Sequence, residues 1–266
     1  MSIALTIAGS DSGGGAGIQA DLKAFSALGV YGASVITAVT AQNTRAVTDV
    51  AMIPTVTIAA QIEAVLSDLD VASVKIGMLG TPEVIETVAQ SLDSYSGPII
   101  LDPVMVAKSG DALLAADAEA ALAETLLPKA RVLTPNLPEA ARLLGQPEAT
   151  SEEEMTQQGN KLQTLGSAAV LMKGGHGSDE VCTDVLVDSA KSPLKLEARR
   201  LHTKNTHGTG CTLSSAIAAG LARGLDVRSA VTEGHTYLQA AIRAADNLAI
   251  GHGHGPVHHF HHWWTQ

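Results

Sequence analysis

The stretch Lys204–Ser214, KNTHGTGCTLS, interrupts an apolar, alternating region and then continues directly into an alanine-rich segment that ends at residue 222. Apolar residues at helical spacing in that segment predict a buried helix. Glycines just before a helix let backbone N–H groups point out of the loop, and the helix start adds unpaired amides and the positive end of its dipole. The stretch therefore predicts an anion site, most simply for a phosphate.

A plain glycine turn between two elements would show a similar pattern, with Cys211 as a small core residue. Lys204, Thr206, His207 and Thr209 place a cation and three hydrogen-bonding side chains beside the amides. A simple connector needs none of these groups, so the flanking chemistry favours a ligand site.

The composition is that of a globular chain without a strong affinity for polyanions. The chain has 266 residues, of which 45% are hydrophobic and only 3% aromatic, so the core is built from aliphatic side chains. The net charge of −10 argues against a nucleic-acid binder, which needs clustered lysine and arginine. A phosphate would instead be held locally, by loops and a few lysines, with a divalent metal as a further possibility.

Cysteine usage and the N-terminal sequence bear on the compartment. Two cysteines, Cys182 and Cys211, are too few for a disulfide scaffold, so a reducing cytoplasm is expected. The first residues lack a basic segment and reach glycines quickly, which predicts a first strand and not a signal peptide. No apolar run is long enough to predict a membrane span.

Strand-like and helix-like segments alternate along the chain, which is typical of a doubly wound α/β fold with ligands bound at the carboxyl ends of the strands. No linker or repeat interrupts the pattern, so residues 1–266 are expected to form one domain. One or two exposed strands are predicted within 182–201, around a polar turn at 188–192. The remaining strands are predicted at 3–8, 32–41, 74–78, 98–105, 131–134 and 168–172, and the helices at 18–28, 57–69, 81 onwards, 112–127, 140–144, 151–165, 214–222 and 229–245.

Polar residues gather where these strands end. Asp21, in the first turns of a helix, is either a partner of the helix dipole or an acceptor for a ligand amine. Gln42 carries both a donor and an acceptor, as reading a heterocyclic ring requires, although an exposed turn residue is the simpler interpretation. Asp102 and Glu139 supply the oxygen ligands that Mg²⁺ prefers, and Lys173 is placed to meet phosphate oxygens.

The C-terminal tail, residues 251–264, contains six of the ten histidines and both tryptophans. A histidine-rich tract can bind metal. Its glycines and Pro256 predict instead an irregular cover segment, with the tryptophans packed onto the domain. A metal chaperone that uses this tail is kept as a separate hypothesis.

Several motifs together resemble the bacterial hydroxymethylpyrimidine and phosphomethylpyrimidine kinases of thiamine biosynthesis. The resemblance covers nearly the whole chain and implies the ribokinase-like fold, a central and mostly parallel sheet with helices on both faces. It rests on GSDS at 9–12, GAGIQADLK at 15–23, AQNT at 41–44, KIGML at 75–79, LDPVM at 101–105, TPNLPE at 134–139, MKGGH at 172–176, NTHGTGCT at 205–212 and GPVHHF at 255–260.

The resemblance implies ATP-dependent phosphorylation of 4-amino-5-hydroxymethyl-2-methylpyrimidine and then of its monophosphate. It also implies the following roles: Gly208, Thr209, Gly210 and Cys211 form an anion hole at the γ-phosphate, Thr206 and Lys173 contact the nucleotide, Gly9, Asp21, Gln42 and Met78 hold the aminopyrimidine, and Asp102 and Glu139 organise Mg²⁺ directly or through water.

Three questions stay open at this point. Most ribokinase-like enzymes have an aspartate base where this chain has Cys211, whose thiol either accepts the substrate proton, with a pKa lowered by the helix N-terminus, or only shapes the site. The alternative functions are a related pyridoxine/pyridoxal kinase and a non-catalytic nucleotide-binding protein. Gln42 favours the pyrimidine over pyridoxine. The presence together of Lys173, Asp102, Glu139 and the loop 208–211 favours an enzyme over a binding protein. A homodimer is expected from the exposed strands and the family resemblance.

Overall fold

The computed structural model describes residues 1–106, 114, 117–175, 180–188 and 192–264. Strands and helices alternate in it as predicted. The strands are β1 (Ile3–Asp11), β2 (Tyr31–Gln42), β3 (Val47–Met52), β4 (Val71–Ile76), β5 (Ile99–Leu101), β6 (Val132–Leu133), β7 (Ala169–Met172), β8 (Val181–Asp188) and β9 (Leu194–Arg199). The helices are α1 (Gly17–Ala27), α2 (Thr55–Leu66), α3 (Pro82–Ser91), α4 (Ala118–Ala121), α5 (Leu137–Leu144), α6 (Glu152–Thr164), α7 (Thr209–Ala222) and α8 (Val227–Arg243).

The nine strands form one sheet in the order β3-β2-β1-β4-β5-β6-β7-β8-β9. The six central strands run parallel; in sheet order they are β2, β1, β4, β5, β6 and β7. The strands β3, β8 and β9 pair antiparallel at the two edges. Parallel strands end at the same edge of the sheet, so the polar residues that follow β1, β2, β4, β5, β6 and β7 are brought to one side. The predicted α/β fold is confirmed.

Helices cover both faces of the sheet. On one face α2, α3, α5 and α6 pack on a large aliphatic core that includes Leu5 and Ile76. On the other face α1, α7 and α8 pack on a second core that includes Phe25 and Ile217. Alternate residues of β1 and β4 point to opposite faces, which places Thr6 and Lys75 beneath α1 and α7.

Local sequence explains where several helices begin. Thr81 caps α3 and is followed by Pro82 at the first helical position. Asn136 and Glu139 form a capping box at the start of α5, in which each side chain accepts a hydrogen bond from the other residue's backbone N–H. This box also fixes the Glu139 carboxylate beside the carboxyl ends of β5 and β6.

The structure corrects some boundaries. The strand predicted at 98–105 is only Ile99–Leu101, and the edge strand β3 was not predicted because it is short and largely exposed. The helix predicted at 112–127 begins at Ala118 and continues into a π-helical turn, Leu122–Leu126. Residues 107–113, 115–116, 176–179 and 189–191, on which parts of these predictions fall, lie outside the described residues.

The C-terminal tail covers the start of α7 as an irregular segment. The His207 N–H donates to the Gly255 carbonyl (3.0 Å), and the His259 ring lies 2.9 Å from the Thr212 hydroxyl. The expectation that both tryptophans pack onto the domain is wrong, since Trp263 and Trp264 are 69% and 55% exposed. Trp264 instead stacks on Phe260 within the tail.

Candidate active site

A cavity of about 670 Å³ lies at the carboxyl ends of the parallel strands. Eleven of the twelve residues to which the family resemblance gives a role line it. They are Gly9, Gln42, Met78, Asp102, Glu139, Lys173, Thr206, Gly208, Thr209, Gly210 and Cys211. The remaining one, Asp21, is fully buried beneath the cavity.

The glycine-rich stretch forms the floor of one half of the cavity. Gly208 precedes α7 with a left-handed backbone (φ +78°), and no side chain caps the helix. The first turn of a helix leaves N–H groups without partners inside the helix, so this end can receive an anion. A Cβ at Gly208 would lie 1.9 Å from the carbonyl oxygen of Gly15, so the β1–α1 loop packs directly on this turn. Only glycine fits both the backbone conformation and the contact.

Lys173 lies between two buried carboxylates beside this turn. Its Nζ is 2.8 Å from Asp102 Oδ1 and 3.8 Å from Glu139 Oε2. A Cβ built on Gly210 would lie 3.4 Å from both Asp102 Oδ2 and Lys173 Nζ, so the cation and the carboxylates adjoin the first turn of α7. Thr134 donates to Asp102 Oδ1 (3.0 Å), which holds that carboxylate in place.

The charges of this cluster are set by burial and by one another. Burial alone would disfavour each charge, but Asp102 and Glu139 together raise the pKa of Lys173 above its usual range. For Asp102, the Lys173 and Lys75 ammonium groups outweigh burial and lower the pKa. Burial raises the pKa of Glu139 to about 7, with Asp102 adding to the shift and Lys173 opposing it. Asp102 and Glu139 thus share the single ammonium of Lys173, so the Glu139 carboxylate could also bind a second cation.

Asp21 does not contact the cavity. Its carboxylate binds Lys75 Nζ through both oxygens (2.9 and 3.0 Å) and accepts hydrogen bonds from Thr6 (2.6 Å) and Ser215 (2.7 Å). Because the side chains of Asp21 and Lys75 are both fully buried, the carboxylate has no surface for a ligand amine. The interpretation of Asp21 as a ligand acceptor is therefore replaced by an ion pair with Lys75, which itself lines the cavity.

Cys211 lies in the first turn of α7, as predicted, but its thiol is not acidified. Burial raises the pKa of Cys211 to about 11; Lys75 opposes this shift, whereas Asp21 and Asp102 add to it. Of the two roles left open for Cys211, the raised pKa supports the shaping role over that of the base, because desolvation of the thiolate exceeds the favourable effect of Lys75.

The other half of the cavity can hold a flat ring. Met78 follows β4, and a Cβ built on Gly9 would lie 3.0 Å from its sulfur, so glycine at that position makes room for the thioether. Gln42 ends β2, partly buried, with its terminal amide beside the Thr40 hydroxyl and the His207 ring. A polarizable thioether and a donor–acceptor amide around one space suit a polar heterocycle.

A third wall comes from residues that sequence reasoning did not single out. The cavity extends past Lys173 to α8 and the end of β9, where Leu201, Leu238 and Ile242 supply apolar surface and Gln239 a polar group. Their helical or strand spacing looks like that of ordinary core residues, so no local signal distinguishes them.

Asp11 and His207 were given no role in the site from the sequence, although His207 was noted beside the glycines before α7 and Asp11 follows the first strand-like run. Asp11 accepts hydrogen bonds from the backbone N–H groups of Gly13 (2.7 Å), Gly15 (3.0 Å) and Ala16 (2.9 Å), and its Oδ2 lies 2.8 Å from His207 Nε2. Against the effect of burial, His207 and these N–H groups lower the pKa of Asp11. Asp11 therefore ties the β1–α1 loop to the anion-binding turn.

Among the described residues, no group of three or more histidine, cysteine or acidic side chains could hold a metal ion by itself. This holds for the described part of the histidine-rich tail as well. Within the same residues, no helix is long and apolar enough to cross a membrane.

An open α/β sheet that brings an anion-binding helix start, a lysine and two buried carboxylates to one crevice has the architecture of a small-molecule kinase. The comparisons with known proteins agree. A family model described as phosphomethylpyrimidine kinase matches residues 11–258, and the chain belongs to this family. The resemblance inferred from the motifs is confirmed.

Individual relatives support the family and the ribokinase-like fold. A hydroxymethylpyrimidine/phosphomethylpyrimidine kinase of Rhizobium meliloti is 58% identical over 98% of both chains. The phosphomethylpyrimidine kinase of Clostridium difficile superposes with a TM-score of 0.80 at 43% identity, over 91% of this chain and 100% of that one. An ADP complex of Bacillus subtilis pyridoxal kinase gives a TM-score of 0.89 at 38% identity, over 97% of both chains.

Proposed function

We propose that this phosphotransferase uses ATP to phosphorylate 4-amino-5-hydroxymethyl-2-methylpyrimidine and then its monophosphate, giving the pyrophosphate for thiamine assembly. The observation that carries the proposal is one cavity in which Lys173, Asp102 and the first turn of α7 adjoin one another, with Gln42 and the apolar side chains of α8 also in its lining. One crevice with a phosphate site between two ring sites suits a nucleotide on one side and a pyrimidine on the other.

On the nucleotide side, the adenine would lie against Leu201, Leu238 and Ile242, and the phosphates would extend toward Lys173. A relative of the same fold is known as an ADP complex, which supports ATP as the co-substrate. Thr206 and Thr209 flank the anion-binding turn and would add hydroxyl donors to the phosphate oxygens.

On the substrate side, Gly9, Gln42 and Met78 would hold the aminopyrimidine. The 4-amino group and the neighbouring ring nitrogen form an adjacent donor and acceptor, and the Gln42 amide can match both. Phosphorylation of the 5-hydroxymethyl group requires its oxygen to face the γ-phosphate above α7.

Catalysis would depend on positioning and on stabilising charge at the transferred phosphoryl group. The N–H groups of Gly208–Cys211 would receive the equatorial oxygens, and the Lys173 ammonium would neutralise charge that develops on the bridging oxygen. The substrate hydroxyl would bond to the γ-phosphorus as the bond from that phosphorus to the ADP oxygen breaks, and its proton would pass to an oxygen of the transferred phosphoryl group or to water. With a pKa of about 11, the Cys211 thiol is protonated at neutral pH, which supports a shaping role for it over that of the base.

Asp102 and Glu139 fit a magnesium ion that is completed by water and phosphate. Mg²⁺ usually keeps several waters and binds through one or two carboxylates together with substrate phosphates. The donor set is two buried carboxylates with a single ammonium between them, which leaves room for added positive charge. When bound, Mg²⁺ would neutralise the phosphate oxygens, while Asp102 would keep Lys173 oriented.

The test is a coupled assay of ADP release with hydroxymethylpyrimidine as the substrate, with products identified by ³¹P NMR. We expect two ATP consumed per pyrimidine, a pyrophosphate product, and a requirement for Mg²⁺. Lys173→Met should lower kcat/KM by roughly 10³-fold because it removes a charge from the transition state. Lys161→Met, which changes an exposed lysine of α6, is the matched control. Absence of phosphate transfer to either pyrimidine would refute the proposal.

A second activity, on pyridoxine or pyridoxal, is favoured by the structural similarity to a pyridoxal kinase. We expect it to be weak, because these rings lack the adjacent donor and acceptor that suit Gln42. The same assay with pyridoxal measures it, and a kcat/KM above that for hydroxymethylpyrimidine would reverse the assignment.

We further propose that residues 1–266 act as one domain, as a homodimer, in the cytoplasm. The continuous sheet supports the first statement. Exposed apolar side chains on β2 and β3, among them Val39 and Met52, support the second. Both cysteines are free, which agrees with a reducing compartment. Light scattering on the purified chain tests the dimer.

A further inference from the structure

His207 stands where three segments of the active site meet. Its Nε2 lies 2.8 Å from Asp11 Oδ2 in the β1–α1 loop and 3.5 Å from the terminal amide of Gln42 at the end of β2. A Cβ built on Gly15 would lie 2.3 Å from the ring, so the imidazole packs closely against that glycine. Its own backbone N–H is held by the Gly255 carbonyl. The ring therefore has little freedom to move.

The position of the proton on His207 follows from its partner. The Asp11 carboxylate is ionised and only accepts hydrogen bonds, so Nε2 of His207 carries a hydrogen and donates it to Asp11. The Gln42 amide nitrogen is placed 3.5 Å from this Nε2, where it meets a second donor and no lone pair, so exchanging the two ends of the amide removes a conflict. The oxygen of the amide belongs on the His207 side.

Thr40 is compatible with the same orientation of Gln42. Its hydroxyl lies 3.0 Å from the carbonyl oxygen of Ser10 and 3.0 Å from the Gln42 atom placed as the amide oxygen, so before the exchange two acceptors compete for one proton. The hydroxyl has a single proton, which the Ser10 carbonyl can accept, and its lone pairs can then accept from the Gln42 amide nitrogen. The two ends of an amide are distinguished only by such partners, so His207 and Thr40 decide which way Gln42 points.

The geometry points to His207 as a specificity-determining residue: held by Asp11, it orients the Gln42 amide so that its oxygen lies toward the glycine loop and its nitrogen toward Thr40. This leaves the edge shared by the C=O and one N–H free to face a ring. An aminopyrimidine has an amino donor next to a ring-nitrogen acceptor, so the Gln42 C=O must face the amino group and the Gln42 N–H must face the ring nitrogen. With the amide reversed, donor would face donor and acceptor would face acceptor. In pyridoxine a methyl-bearing carbon separates the ring nitrogen from the ring hydroxyl. This edge of Gln42 therefore cannot bind both groups together.

The inference deepens the proposed function and rests on it, because it names the recognition of the same pyrimidine. His207 acts through Gln42 and is a positioning residue. Its effect should therefore appear in the choice between substrates and in KM for the pyrimidine, and little in turnover of pyridoxal.

The experiment measures kcat/KM for hydroxymethylpyrimidine and for pyridoxal in four proteins: wild type, His207→Ala, Gln42→Ala and the double variant. We expect His207→Ala to lower the pyrimidine-to-pyridoxal ratio by about tenfold, the effect of one misdirected hydrogen bond. The double variant should match Gln42→Ala alone, because His207 has no further effect once the amide is gone. His254→Ala, which alters an exposed histidine of the tail beside Lys204, should leave the ratio unchanged.

A conservative variant separates orientation from packing. In His207→Gln the side-chain amide nitrogen can take the place of Nε2, and the ratio should return to within about threefold of wild type. If His207→Ala does not fold, Thr40→Val decides, because it removes the other orienting partner without touching Asp11 and should lower the ratio similarly.

An unchanged ratio in His207→Ala, or additive effects in the double variant, would overturn the inference while leaving the proposed function intact. After a failure of His207→Ala to fold, an unchanged ratio in Thr40→Val would overturn it in the same way. Failure of the wild type to phosphorylate either pyrimidine would overturn both.

Discussion

At the scale of single residues, Cys211 combines a position that suggests catalysis with a thiol that is hard to ionise. The raised pKa of about 11 predicts that the thiol stays protonated across the physiological range. We expect Cys211→Ala to lower kcat by less than about 100-fold, below the usual contribution of a general base. A larger loss, with unchanged thermal stability, would make Cys211 the base.

Alkylation by iodoacetamide provides an independent check on the Cys211 pKa. The rate at Cys211, followed by mass spectrometry of the peptide, should keep rising with pH beyond 9, because only the thiolate reacts. Cys182, whose pKa is also raised by burial, serves as the internal comparison. A rate at Cys211 that levels off below pH 8 would contradict the assignment.

The Asp21–Lys75 pair predicts a large effect on stability from a residue that touches no ligand. Removing the carboxylate in Asp21→Ala leaves the buried Lys75 ammonium uncompensated and should reduce the free energy of unfolding by about 3–5 kcal/mol. The double variant Asp21→Leu/Lys75→Met should recover most of this loss, because both charges are removed together. Urea denaturation followed by circular dichroism measures each value. A double variant less stable than Asp21→Ala would contradict this account.

At the scale of elements, the start of α7 depends on a glycine in a left-handed conformation against the β1–α1 loop. In Gly208→Ala, the methyl group would meet the Gly15 carbonyl and displace the anion-binding turn. We expect kcat/KM to fall by more than about 100-fold, the usual cost of lost oxyanion donors.

Gly224, just beyond the other end of the same helix, is the matched control for Gly208. It also has a positive φ (+88°), but a Cβ there would meet nothing within 4 Å. Gly224→Ala should therefore cost about 1 kcal/mol of stability from backbone strain alone, with kcat/KM unchanged. Equal losses of activity in the two variants would show that the contact with Gly15 is unimportant.

At the scale of the whole molecule, the C-terminal tail is joined to α7 through a buried histidine. Burial lowers the pKa of His259 to about 3, with Lys23 and neighbouring tail histidines adding to the shift. Thr212 donates to the Gly208 carbonyl (2.8 Å), so His259 Nε2 donates to the Thr212 hydroxyl as a neutral ring. The tail thereby supports the glycine turn that precedes α7.

The pKa of His259 determines how stability depends on pH. Between about pH 6.5 and 3 the unfolded chain binds a proton at His259 and the folded chain does not, so stability falls as the pH is lowered, by up to about 1.4 kcal/mol per pH unit. His259→Gln keeps a donor for Thr212 but cannot titrate. The difference in unfolding free energy between wild type and variant should change with that slope from pH 6 to 4. A constant difference would place the folded-state pKa near its ordinary value.

Local sequence was sufficient to predict most elements and to choose eleven residues that the fold brings to one cavity. Gln42, Asp102, Glu139 and Lys173 each follow a strand-like run, and parallel strands bring such positions to one edge whatever the details of packing. The glycines before α7 predict an anion site from local sequence, because they act through the backbone, which depends little on distant residues. Predictions were weakest where strands are short, as at Ile99–Leu101.

Pairings between distant segments could not be predicted in this way. Asp21 meets Lys75 across 54 positions, and Asp11 meets His207 across 196. The Cys211 pKa likewise depends on how completely neighbouring segments exclude water. Hydrogen bonds and desolvation are short-range in space and carry no signature in local sequence, so only the folded chain decides that Asp21 pairs with Lys75, that burial raises the pKa of the Cys211 thiol, and which groups lie beside the Gln42 amide.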